Sequence, residues 1–280
     1  MHTAIITAAG LGTRMLPFSK EIPKEMMPLI VKMSSCVIVK PVLHYIFDSL
    51  YEVGFRKFYL IVGRGKRIIE DYFTPDWSYV EFLLKNGKEH LAKMLIEFYE
   101  RIEKCDIVMV NQPSPRGFGD ALLRSRPFMT DSVFLVHAGD DIIYPNHVDS
   151  IRRLVGHYRE YRPKVAFLYD VSDTPERYGV IVGEDRDGYI EVEDVVEKPS
   201  KPPSNSVVVA IYIFDQDIYD ALEKTRPMRG EHQLTDAIRY LIRRGEKVHA
   251  VRVQGRRLDL GTPDQYFRAL KTMVEEVEGV

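Results

Sequence analysis

The chain opens on an apolar, β-rich run, Thr3-Ala-Ile-Ile-Thr-Ala8, that ends in small residues and passes directly into Gly10-Leu-Gly12. Such a run suits a strand covered on both faces, as in a parallel sheet. A glycine-rich loop at its carboxyl end is where an open α/β sheet receives a ligand. The remaining chain repeats the alternation. Val42, Leu43, Ile46, Leu50 and Val53 recur at helical spacing before a stop at Gly54, and Lys57 to Val62 is the next strand. Leu91 to Ile102 traces an amphipathic helix, Asp106 to Asn111 a strand, Gly117 to Phe128 a helix, Ser132 to His137 a strand, Val148 to Tyr161 a helix and Lys164 to Val171 a strand. Strand and helix in turn predict a parallel sheet covered on both sides.

The rhythm changes near Tyr178. Tyr178 to Val182 and Tyr189 to Val196 flank Asp187-Gly188, which predicts an antiparallel hairpin. Val207 to Phe214 returns to the sheet, helices follow at Asp217 to Lys224 and Leu234 to Arg243, and Lys247 to Val253 is a further strand. Tyr266, Ala269, Leu270, Met273, Val274 and Val277 form one stripe of a terminal helix, which either docks on the domain or pairs with a second subunit.

Composition excludes several classes. Lys plus Arg number 39 against 41 Asp plus Glu, a net charge of -2, so no global field draws a nucleic-acid polymer and any phosphate is held locally. No apolar run approaches the ~18 residues that span a bilayer, and no signal-peptide pattern precedes the first strand. A cytoplasmic protein with no membrane partner is expected. Cys36 and Cys105 are too few for a disulfide framework and read as small buried hydrophobes in a reducing compartment.

The loop Ala8-Ala-Gly-Leu-Gly-Thr-Arg14 offers successive backbone N–H groups to phosphate oxygens, with Arg14 as a fork of donors and Lys24 as a mobile charge. A dinucleotide fingerprint would need glycine at Met15, and a Walker loop would need Gly-Lys-Ser/Thr; both are absent.

The stretch Gly10-Leu-Gly-Thr-Arg-Met-Leu-Pro-Phe-Ser-Lys-Glu-Ile-Pro-Lys-Glu-Met-Met-Pro28 resembles the signature of sugar-1-phosphate nucleotidyltransferases, and looks most like the bacterial-type UTP–glucose-1-phosphate uridylyltransferases. The likeness continues through Gln112 with Gly117-Phe-Gly-Asp-Ala-Leu-Leu123, Gly139-Asp-Asp-Ile-Ile143, Tyr178-Gly-Val-Ile181, Val196-Glu-Lys-Pro199 and Gly230-Glu-His-Gln-Leu-Thr-Asp-Ala237. Leu258-Asp-Leu-Gly-Thr-Pro263 is closer to the thymidylyltransferase branch, and Ile30 to Val39 reads as an insertion.

This resemblance implies a Rossmann-like α/β nucleotidyltransferase fold, with a mixed, mostly parallel central sheet and a small antiparallel hairpin. It implies one domain over 1–280: 1–145 mainly for nucleotide, 146–260 mainly for sugar phosphate, 261–280 a terminal helix. The substrates would be UTP and glucose 1-phosphate, the cofactor Mg²⁺, the assembly a homodimer or homotetramer. Arg14, Lys24, Asp140 and Lys198 are the expected catalytic residues. Ala9, Gly10, Gly12, Thr13, Gln112 and Gly117 would bind nucleotide, and Gly179, Glu197 and Lys198 the sugar phosphate. Asp140 and Asp259 would hold the metal, with Asp141 behind them. Glu231, Gln233 and Asp236 read as capping and positioning residues, and Arg243-Arg244 and Arg252 to Arg257 as solvated charge. Two alternatives stand beside this reading: a thymidylyl or dual UTP/dTTP enzyme, since uracil and thymine differ by one methyl, and an inactive nucleotide-sugar-binding regulatory module.

Overall fold

In β1 (Thr3–Ala8), Ala4, Ile6 and Ala8 face one apolar core and Ile5 faces another, the period-two alternation of a strand buried on both sides. The computed structural model describes all residues except 33–35, 228–229 and 279–280. After the glycine loop come a hairpin of β2 (Pro28–Lys32) and β3 (Val37–Pro41), then α1 (Val42–Val53) and β4 (Lys57–Val62). Gly54 ends α1 at φ +110°, a backbone shape glycine adopts freely. Helices α2 (Arg67–Tyr72), α3 (Trp77–Lys85) and α4 (Glu89–Glu103) lead to β5 (Asp106–Asn111), and α5 (Phe118–Leu123) to β6 (Val133–Ala138). The helix expected over 117–128 is therefore shorter, followed by a separate 3-10 turn at Arg126–Phe128 that holds Pro127.

Next come β7 (Asp141–Tyr144), α6 (His147–Tyr161), β8 (Val165–Val171), β9 (Gly179–Arg186), β10 (Tyr189–Glu197) and β11 (Ser206–Asp215). The chain closes with α7 (Asp217–Lys224), α8 (Leu234–Arg243), β12 (Val248–Arg252), β13 (Arg256–Asp259) and α9 (Pro263–Glu278).

The main sheet runs β5-β4-β1-β6-β11-β8-β12-β10-β9, and β9 pairs back onto β11. The sheet is mixed, as expected, but parallel order is confined to β5-β4-β1-β6 and the β8–β12 pair. Every other junction is antiparallel, so a mostly parallel sheet is not what forms. The hairpin also exceeds a small appendage: β9 and β10 close a ring of five strands through β11, β8 and β12. Helices α1, α4, α6 and α9 cover one core, and α5, α7 and α8 the other.

Two strand pairs stand apart from this sheet. Strands β7 and β13 form an antiparallel ribbon, and β2–β3 the other. That second hairpin accommodates the insertion Ile30 to Val39, of which residues 33–35 lie outside the described residues. The stripe of α9 docks on its own domain: Ala269 and Met273 are buried, and Tyr266 donates its hydroxyl to Pro28 O at 2.7 Å. Cys36 is exposed and Cys105 half-buried, so the first is not the buried hydrophobe expected. Among the described residues no helix is long and apolar enough to cross a membrane.

Candidate active site

The parallel order of β4, β1 and β6 aligns their carboxyl ends, and the loops that follow β1 and β6 meet there. Gly139 N–H donates to Thr7 O at 2.9 Å, and a Cβ at Gly139 would lie 2.8 Å from that oxygen, so glycine permits the approach. Gly12 turns the loop at φ +65°, and its carbonyl accepts from Met15 N–H at 2.8 Å and Ser19 Oγ at 2.6 Å.

Two adjoining cavities occupy this edge. The first, of about 340 Å³, is lined by Ala9, Gly10, Gly12, Thr13, Gln112 and Gly117 among others. The second, of about 430 Å³, is lined among others by Gly179, Glu197, Lys198 and Asp259. Arg14, Lys24 and Asp140 line both. Every residue singled out for nucleotide, sugar phosphate or metal therefore lies on one continuous cleft.

Asp140 and Asp259 are brought together by the β7–β13 ribbon. Asp141 stands opposite Asp259 in its register, and Leu260 N–H donates to Asp140 O at 3.1 Å. Asp140 also pairs with Lys24 Nζ. Burial opposes the Asp140 charge, but Lys24, Arg14 and Arg257 outweigh it and hold the carboxyl below the usual range. Burial likewise opposes the Lys24 charge, and Asp140 and Glu25 reverse it, so the ammonium is held above its ordinary value. Asp259 accepts from Gly261 N–H at 2.8 Å and from Gln265 Nε2 at 2.9 Å, and Gln265 also donates to the Tyr178 hydroxyl at 2.9 Å.

At the far end, Glu197 lies opposite Gly179 in the β9–β10 register. Its carboxylate accepts from Thr235 Oγ1 at 3.2 Å and pairs with Lys198 Nζ at 3.2 Å. Lys198 takes φ +42°, rare for a residue with a side chain, and its N–H donates to Tyr178 O at 3.0 Å. Glu231 lines both cavities and Gln233 the second, so both border the cleft rather than serve only as caps.

Arg257 corrects the sequence reading. Its guanidinium is not solvated: it grips Asp141 through Nε at 2.9 Å to both oxygens and Nη2 at 2.7 Å, and lies 4.2 Å over the Tyr178 ring. Burial opposes its charge, but Asp141 more than compensates, and its pKa is raised. Glu25 was also missed. It is buried behind Gly139 with Lys66 Nζ at 3.2 Å, and burial outweighs that lysine to raise its pKa. The Lys24-Glu25 dipeptide gives no local sign that its second member points inward.

A cleft that presents a glycine loop, a guanidinium, an ammonium and two carboxylates has the donors and charges that suit phosphoryl chemistry. The chain matches the family described as "Nucleotidyl transferase" over residues 3–276, and it belongs to that family. It is 34% identical over 279 residues to a UTP–glucose-1-phosphate uridylyltransferase of Pseudomonas aeruginosa, covering 98% of this chain and 96% of that one. Its fold is similar to a UDP-glucose pyrophosphorylase solved with UDP-glucose (TM-score 0.84, 31% identity, 99% of both chains). It is also similar to a UTP-bound UGPase of Acinetobacter baumannii (TM-score 0.86, 27% identity, 99% of this chain and 94% of that one).

Proposed function

We propose that the protein transfers the uridylyl group of UTP to glucose 1-phosphate, giving UDP-glucose and pyrophosphate. The observation that carries this reading is the pair of cavities joined at Arg14, Lys24 and Asp140. One end offers Gln112 and Gly117 to a base, the other Glu197 and Lys198 to a sugar phosphate, and the reacting phosphates would meet between them. The names of the relatives support the same substrates.

The sugar-phosphate oxygen is already ionised and needs no general base. It forms a new bond to the α-phosphorus as the bond to the bridging oxygen breaks, and pyrophosphate leaves with that electron pair. Both reactants are anions, so charge neutralisation and in-line alignment carry the rate. Backbone N–H groups of Ala9, Gly10, Gly12 and Thr13 cradle the triphosphate, and Arg14 and Lys24 balance the charge that develops on it. Gly179 and Glu197 hold the sugar, and Lys198 orients the attacking phosphate.

Asp140 and Asp259 offer carboxylate oxygens to a cavity whose lining holds no histidine or cysteine, the hard set that suits Mg²⁺. They would hold that ion, which when bound supplies Lewis-acid neutralisation of the triphosphate. Residues 1–145 serve mainly the nucleotide and 146–260 mainly the sugar phosphate. Mixing the protein with UTP, glucose 1-phosphate and Mg²⁺ should yield UDP-glucose and pyrophosphate in equal amounts. UMP with no sugar nucleotide would contradict the reading.

A further inference from the structure

Gln112 follows β5 and keeps 4% of its exposure. Its amide nitrogen donates to Asp120 Oδ2 at 2.7 Å and to Gly117 O at 3.2 Å. Asp120, on α5, is 4% exposed, and its other oxygen accepts from Arg124 Nη2 at 2.5 Å. Burial works against the Asp120 charge, but the bonds from Arg124 and Gln112 outweigh it and keep the carboxyl below the usual carboxylate range. An ionised carboxylate and a backbone carbonyl have no proton to give. Both neighbours therefore require the NH₂ end of the Gln112 amide, since the flipped amide would set an oxygen against two acceptors. The amide has two N–H groups and both are engaged. What Gln112 leaves for the first cavity, which it lines, is its carbonyl oxygen, an acceptor alone.

We propose that Asp120, braced by Arg124, is a positioning residue that sets nucleotide specificity: by fixing the Gln112 amide it makes the site demand a ring N–H from the base. Uracil and thymine carry hydrogen on N3 and satisfy that acceptor. Cytosine carries a lone pair on N3 and places acceptor against acceptor. This rests on the uridylyl reading above and adds to it a residue that touches no substrate. One mismatched polar contact in a desolvated site is worth roughly 10–100-fold in discrimination.

The test compares kcat/KM for UTP and CTP in the wild-type protein and in Asp120→Asn. Asparagine presents either a carbonyl or an NH₂, so the Gln112 amide can turn. The UTP:CTP ratio should fall at least about tenfold, while KM for glucose 1-phosphate stays the same. An unchanged ratio in Asp120→Asn would overturn the inference. So would an equal loss for both nucleotides with a shift in the sugar-phosphate KM, the mark of a merely structural role. Wild-type protein that used neither UTP nor dTTP would instead overturn the uridylyl reading itself.

Discussion

Arg257 and Asp141 are 116 positions apart in sequence, and so are Lys24 and Asp140. Asp141 is 3% exposed and depends on Arg257 for compensation. Replacing Arg257 with leucine would leave that carboxylate buried and unpaired, a change of about 3–5 kcal/mol and roughly 10 °C in a domain of this size. Thermal unfolding of Arg257→Leu should show the drop, and the double variant Arg257→Leu/Asp141→Leu should recover most of it; an unchanged single variant would contradict the pairing. Arg14, Lys24, Asp140 and Lys198 line the cleft as expected, because each sits in a local motif that carries the family resemblance. Arg257 was not legible in the sequence, because Arg252 to Arg257 looks like any surface run until its partner is supplied from the other side of the fold. Asp120 was hidden for the same reason: its carboxylate matters through the Gln112 amide.

At the scale of elements, strand and helix positions were legible where periodicity was strong, as in α1, β4, β5, α7 and α8, whose observed limits match the expected spans. Direction was not. A run such as Val207 to Phe214 is apolar throughout whether its neighbours run parallel or antiparallel, so composition could not reveal that β11 pairs antiparallel with both β6 and β8. The ribbon β7–β13 was equally silent, four residues a side and set by tertiary contact.

Histidines bind several elements together. His147 Nδ1 accepts from Ile143 N–H at 2.9 Å, so its Nε2–H faces His137 Nε2 at 3.1 Å, and His137 Nδ1 donates to Ala138 O at 2.6 Å. His157 on α6 bonds His249 on β12 at 2.9 Å. Burial, aided for His157 by His249 and Arg153, depresses His137 and His157 to about 4. The unfolded chain binds these protons near pH 6.5, so between the two values it holds more protons than the fold. Stability present above about pH 6.5 should therefore be lost as pH falls toward 4. Urea midpoints at pH 7 and 4.5 should show this decline, with a smaller fall in His157→Asn; equal midpoints in the wild type would contradict it.

For the whole molecule, a formal charge of -2 coexists with a cleft that gathers Arg14, Lys24, Lys198 and Arg257. Local order rather than net charge prepares it for two anionic substrates. The glycine-loop half and the Glu197–Lys198 half are joined by a fold that brings residues near both ends of the chain to one edge. Pyrophosphate release with Mg²⁺, crossing UTP, dTTP, CTP, ATP and GTP against several sugar 1-phosphates, tests the central claim most directly. The account predicts a dominant signal for UTP with glucose 1-phosphate, little with CTP and none with the purine nucleotides. Silence across the whole set from folded protein, or a purine nucleotide as the preferred donor, would contradict it.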